Sequence, residues 1–159
     1  MDLGRRNLLR GRRTAAPPPL RPPGALAEHR FIDACTACDR CIDECPERIL
    51  VRGSGGFPEV DFSRGECTFC SACVDACDDQ ALDSAAGRLD IAIQVGDGCL
   101  AMNQVVCLAC GDACEADAIS FPPRLGQAAI PRIDAAACVG CGSCVATCPR
   151  QALEATPRV

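Results

Sequence analysis

The sequence predicts an α+β fold of low regular structure, with short helices and small β-hairpins set around metal centres. Three observations predict it. Sixteen of the 159 residues are Cys, and they fall into four sets. Leu, Ile, Val and Phe together number only 34, with no Trp and no Tyr, so the apolar fraction of 48% overstates what can pack. Short β-like runs bounded by turn residues lie between the Cys sets. A chain this poor in core formers needs disulfides or metals to hold it together.

Residues 1–30 read as a basic, proline-rich N-terminal arm. They carry seven Arg against Asp2 and Glu28, a net charge of +5. Asp2 to Arg13 can form a short helix, and Pro17, Pro18, Pro19, Pro22 and Pro23 favour an extended path after it. Such an arm is either a disordered tail or a docking element. The other residues carry nine Arg against nineteen acids, a net of −10, and the chain has no Lys. An acidic body makes nucleic acid a poor partner. No apolar run follows the arginines as a secretory signal requires. No stretch approaches the ~20 apolar residues of a membrane span. A reducing cytoplasm is the expected setting, where clustered Cys means metal and not disulfides.

From residue 31 the chain repeats. The Cys sets begin at Cys35, Cys67, Cys99 and Cys138, the first three starting 32 residues apart. Residues 31–95 read as one module with two sets and 96–159 as a second. Ile49-Leu50-Val51 and Glu59-Val60-Asp61-Phe62 flank Gly53-Ser54-Gly55-Gly56 and read as a hairpin. Leu89 to Val95 alternates as a half-exposed strand. Ile119 to Phe121 and Ile130 to Ile133 read as a second hairpin, interrupted by Pro122 and Pro123.

Cys35, Cys38, Cys41 and Cys45, followed by Pro46, form C-x2-C-x2-C-x3-C-P, the run that bacterial ferredoxins use to hold [4Fe–4S] clusters. Cys138, Cys141, Cys144, Cys148 and Pro149 repeat it in full. Cys67, Cys70, Cys73 and Cys77 keep the spacing, with Asp78 in place of Pro. The third set departs from it: seven residues separate Cys99 from Cys107, and Cys110 and Cys114 follow. Three closely spaced thiolates wrap three corners of one cubane, and the fourth reaches a neighbouring cluster. Soft thiolates suit this chemistry. Structural zinc prefers paired C-x2-C ligands, and these sets do not divide that way. The sequence thus predicts three [4Fe–4S] clusters and a fourth at Cys99, Cys107, Cys110 and Cys114. There an empty site, a [3Fe–4S] cluster or another metal stays open.

Exchange of fourth ligands between neighbouring sets gives four expected groups. These are Cys35, Cys38, Cys41 with Cys77; Cys67, Cys70, Cys73 with Cys45; Cys99, Cys107, Cys110 with Cys148; and Cys138, Cys141, Cys144 with Cys114. The exchange is carried over from two-cluster ferredoxins. His29 is the only His and reads as solvated, as do Asp43-Glu44 and Asp78-Asp79. No catalytic constellation or phosphate loop competes, so no enzyme is expected.

The chain resembles the NapF family, ferredoxin-type accessory proteins of the periplasmic nitrate reductase system. The likeness rests on Arg5-Arg6 with Leu8-Leu9 and Gly11-Arg12, on Arg21-Pro22-Pro23, and on Arg52-Gly53 with Gly55-Gly56. It continues through Gly96-Asp97, Cys99-Leu100-Ala101 and the seven-residue gap, to the run from Cys138 to Pro149. Asp78 departs from the ferredoxin run without putting a ligand in doubt. The resemblance implies tandem ferredoxin-like modules in a cytoplasmic protein. It also implies contact with the molybdenum-containing catalytic subunit of nitrate reductase before export, in a maturation role. The alternative is a soluble electron carrier or an electron-transfer subunit. Arg5-Arg6-x-Leu8-Leu9 also resembles a twin-arginine export signal, but no apolar segment follows it.

Overall fold

The structure is a computed structural model that describes residues 18–83 and 88–158. The helix expected over Asp2 to Arg13 lies outside those residues. The described elements are α1 (Glu28–Ala34), α2 (Arg40–Asp43), β1 (Leu50–Arg52), a 3-10 turn (Ser54–Gly56), β2 (Pro58–Val60), α3 (Ala72–Asp75) and β3 (Ile91–Val95). Then come α4 (Ala109–Asp112), β4 (Ile119–Ser120), β5 (Arg132–Ile133), α5 (Ser143–Thr147) and β6 (Leu153–Pro157). Helices of four to seven residues have no stability of their own. The fold is two [4Fe–4S] dicluster units with short helices and two-stranded sheets, as expected.

One local device recurs after each set's fourth cysteine. Arg48, Gln80, Asp117 and Gln151 stand three positions beyond Cys45, Cys77, Cys114 and Cys148, with φ between 48° and 54°. Each donates its backbone N–H to that cysteine's carbonyl at 3.0–3.3 Å. The turn sends the next two residues inward: Ile49-Leu50, Ala81-Leu82, Ala118-Ile119 and Ala152-Leu153. All of these are buried except the half-buried Ile119.

The hairpin β1–β2 pairs Leu50 with Val60, and β4–β5 pairs Ile119 with Ile133, both where the sequence places hairpins. The third sheet was not foreseen. β3 runs antiparallel to β6, from Ile91 opposite Pro157 to Val95 opposite Leu153. Glu, Ala and Pro in β6 are weak strand formers, so the partner supplies what propensity does not.

β3 also ties the two halves together. Leu89 and Ile91 share a buried cluster with Ile49, Leu50, Val60 and Phe62. The boundary expected between residues 95 and 96 thus falls just after a strand that packs on the first half and pairs with the last. Direct seams add to this. Cys67 N–H donates to the Cys141 carbonyl at 2.8 Å, and Leu89 N–H to that of Val139 at 3.0 Å.

The arm is part of the body from residue 18 onward. The Leu20 carbonyl accepts from Val60 N–H at 2.7 Å, Leu26 N–H donates to Ala81, and Ala25 bridges Leu82. Arg21 fastens it. Its guanidinium donates to both Glu28 oxygens at 2.7 and 3.0 Å and to the Pro58 carbonyl at 3.1 Å. It also lies over the Phe31 and Phe57 rings, at 5.0 and 5.6 Å. The extended backbone that the prolines favour is what lets this segment lie along the module.

Gly142, at φ +80°, lies against the first half, and a Cβ there would come within 2.0 Å of the Phe62 ring. Gly126, at φ +68°, faces open space. Gly142→Ala is therefore expected to cost about 1–3 kcal/mol for overpacking on top of about 1–2 kcal/mol for the left-handed backbone. Gly126→Ala incurs only the second cost. Thermal unfolding of the cluster-loaded protein compares the two; equal losses of Tm would contradict the close approach.

Candidate metal centres

Three of the four Cys loops share one winding. In the first set Ala37 (φ 53°) and Asp39 (φ 66°) flank Cys38. In the second Phe69 (φ 53°) and Ser71 (φ 64°) flank Cys70, and in the fourth Gly140 and Gly142 flank Cys141. Left-handed residues on both sides of the middle cysteine reverse the chain twice. The third set lacks this signature: Leu108, after Cys107, has φ −119°. Its seven-residue insert closes on itself instead. Asn103 donates its side-chain amide to the Asp97 and Cys99 carbonyls at 2.8 Å each, and Val105 N–H donates to Leu100. The insert leaves Met102, Val105 and Val106 exposed.

The four loops form four cavities. One is lined by Cys35, Cys38, Cys41 and Cys77. Another is lined by Cys67, Cys70, Cys73 and Cys45, with Pro23 of the arm in its wall. A third is lined by Cys99, Cys107, Cys110 and Cys148, and a fourth by Cys138, Cys141, Cys144 and Cys114. Every cysteine lines one of these spaces, and the structure brings together the same fours that ligand exchange predicts. All sixteen are free thiols.

Burial and crowding govern these thiols. Burial, then the charges of Cys35, Cys73, Cys38 and Cys77, push the Cys41 thiol up to about 11. Burial and then Cys67, Cys45 and Cys70 take Cys73 to about 11. Burial, followed by Cys141, Cys138, Cys110 and Cys114, takes Cys144 to about 12. Cys67, Cys110 and Cys141 are also raised, burial leading. Cys38 runs the other way, because the Arg40 side chain donates to its sulfur.

This donor set fits a [4Fe–4S] cluster. Four soft thiols face each space. Among the described residues, no three His, Cys, Asp or Glu side chains close on a point as a single ion needs. Each cluster would also bring the positive charge that crowded thiolates lack.

The cavities form a row. Cys41 of the Cys35 site feels Cys73 of the Cys67 site. Cys67 feels Cys141, and a hydrogen bond joins the two residues' backbones. Cys144 in turn feels Cys110. The spatial order is Cys35, Cys67, Cys138, Cys99, which is not the order of the chain.

Residues 34–82 and 105–152 each match the 4Fe-4S dicluster domain family. The second match leaves Cys99 outside, although its thiol lines the same cavity as Cys107 and Cys110. The chain is 42% identical to the ferredoxin-type protein NapF of Escherichia coli K12, over 98% of this chain and 95% of that protein. It is 41% identical to NapF of Haemophilus influenzae, over 84% and 77%.

The chain belongs to the NapF ferredoxin-type family. A methylamine utilization ferredoxin-type protein, MauM of Methylobacillus flagellatus, is 34% identical over 95% of this chain and 74% of that protein. This member of the family is an iron–sulfur protein whose cofactors are [4Fe–4S] clusters. Among the described residues no helix is long and apolar enough to cross a membrane.

Sequence reasoning missed one group around Cys38. Asp78 and Asp79 are not simply solvated: Asp78 pairs with Arg40, and Asp79 accepts from the Thr36 hydroxyl at 2.6 Å. The available signal was an acid where the ferredoxin run has Pro, with an Arg two positions after Cys38. His29 is exposed, as expected.

Cys45→Ser is expected to remove the cluster of the Cys67 site and spare that of the Cys35 site. Iron should fall by about four ions, one cubane. Electron paramagnetic resonance of the reduced protein distinguishes the sites, and loss confined to the Cys35 site would refute the crossing. Iron uptake by the cluster-free chain should release protons and improve as pH rises from about 7 to 9, since raised thiols must ionise to ligate. Anaerobic titrations at the two pH values, with iron and sulfide supplied, check the sign.

Proposed function

We propose that this protein is a redox-active maturation factor with no catalytic centre of its own. Its client is the molybdenum-containing catalytic subunit of periplasmic nitrate reductase, met in the cytoplasm before export. The observation that carries the redox part is the row of four adjacent cavities, each faced by four cysteines. We assign Cys35, Cys38, Cys41 and Cys77 to one cluster, and Cys67, Cys70, Cys73 and Cys45 to its neighbour. Cys138, Cys141, Cys144 and Cys114 take the next, and Cys99, Cys107, Cys110 and Cys148 the last. When bound, such clusters supply single-electron exchange at potentials set by their surroundings.

The chain's own residues hold and tune. Crossed cysteines keep neighbouring sites adjacent. Buried Ile49-Leu50, Ala81-Leu82 and Ala152-Leu153 exclude water from the inner side. Ala118 and Ala152 donate backbone N–H groups to the Cys114 and Cys148 sulfurs at 3.3 Å each, stabilising negative charge there. The client is supported by family membership and by the resemblance carried on the arginine arm and the widened third set.

The row equally suits a second reading, a soluble electron carrier or electron-transfer subunit of an oxidoreductase. A maturation factor is needed once, whereas a carrier is needed at each turnover. Nitrate reductase made in cells with and without this chain, then purified free of it, is assayed with an artificial electron donor. Maturation predicts inactive enzyme only when the chain was absent during synthesis. Full activity in both preparations would sink it, and dependence of physiological turnover on the chain would then select the carrier.

A further inference from the structure

The first loop carries a charged donor aimed at a cluster ligand. Arg40 opens α2, directly after the left-handed Asp39, and its Nε–H donates to Cys38 Sγ at 3.5 Å. Its Nη1 is held by Asp78, on the segment that follows the crossing cysteine Cys77. Thr36 and Asp79 make a second tie between the same two segments. On the other side Asp39 pairs with Arg52 of β1. The guanidinium is thus held by a carboxylate on one edge while its other edge faces sulfur.

The repeats provide an internal comparison. Ala72 opens α3 after Ser71, whose φ of 64° matches that of Asp39. Ser143 stands at the same place after Cys141, and Ala109 after Cys107. None is basic. Cys45 and Cys148 are followed by Pro46 and Pro149, Cys77 by Asp78 and Cys114 by Glu115, but the place equivalent to Arg40 in the site that Cys114 completes is Ser143, so an acid meets a base only at the Cys35 site. The departure from the ferredoxin run and the extra Arg are two halves of one contact.

We propose that Arg40 is a positioning residue of the Cys35 site which, fixed by Asp78, raises the reduction potential of the cluster held there. The inference rests on the assignment of Cys35, Cys38, Cys41 and Cys77 as ligands of a redox-active cluster. One-electron reduction takes the core from 2+ to 1+, with the electron drawn from an external reductant. The added negative charge spreads onto the ligand sulfurs. An N–H donor on one sulfur stabilises the reduced form more than the oxidised one, so reduction becomes easier. Cys38 is exposed, at one end of the row, so this tuning acts where a partner can reach the site.

The test is a potentiometric titration of the full, cluster-loaded chain with dithionite, followed by electron paramagnetic resonance, alongside iron quantification. Arg40→Met should keep its iron and lower one potential of the set. The expected shift is about tenfold in the reduction equilibrium, about 59 mV for one electron. Arg40→Lys should lower it by less, because an ammonium keeps the charge but lacks the planar donor. A fully loaded Arg40→Met with every potential unchanged overturns the proposal. If Arg40→Met loses iron, Arg40→Lys decides, and a potential equal to that of the unaltered protein overturns it. A loaded, unaltered protein with no reducible signal at the Cys35 site would instead overturn the underlying assignment.

Discussion

Everything in this fold depends on the crossing of the fourth cysteine. Cys45 follows α2 and lines the cavity of the second loop, while Cys77 follows α3 and lines that of the first. Cys114 and Cys148 make the same exchange in the other half. Each site of a pair therefore draws one cysteine from the other loop. The loops are also wound against local preference. Ala37, Asp39, Phe69 and Ser71 all hold left-handed backbone, which costs about 1–2 kcal/mol per residue. Inside them, thiols are crowded until burial and mutual charge oppose ionisation. A cluster in each cavity would offset these costs, which would couple cluster binding to folding.

That constraint explains what the sequence could disclose. Cysteine spacing carried the four sets, and strand-like runs between turn residues carried the two hairpins, because both are local patterns; the exchange of fourth cysteines came from the two-cluster ferredoxin pattern. The β3–β6 sheet was not legible, since Leu153–Pro157 has the composition of a frayed tail and gains its conformation from Ile91–Val95. Nor was the docking of residues 18–27, which rests on Arg21 finding Glu28, Phe31 and Phe57. Asp78 is exposed, as read, but its pairing was not legible because its partner Arg40 lies 38 residues away. Non-local partners are what a pattern of spacings leaves out.

The order of the sites is likewise a tertiary fact. Sets one and two are neighbours in chain and in space, but set four, not set three, abuts set two. The Cys67–Cys141 backbone bond and the close fit of Gly142 on Phe62 fix that arrangement. The third set, with its wide insert and ordinary backbone at Leu108, is placed at the far end. The irregular loop is accommodated where it has a neighbour on one side only.

Pairing β3 with β6 also imposes a schedule. Val95 is made 58 residues before Leu153, its partner in the sheet. As the chain emerges, the first half has all eight of its cysteines in hand long before the C-terminus exists. β3 meanwhile presents an unpaired edge, packed on the first half through Ile91 but open on the side that β6 will cover. Cys148 and β6 arrive together, so the last ligand and the last strand close the second half in one event. A ribosome halted before Cys148 would carry a first half with all eight of its cysteines beside a second half that lacks Cys148 and the strand that pairs with β3.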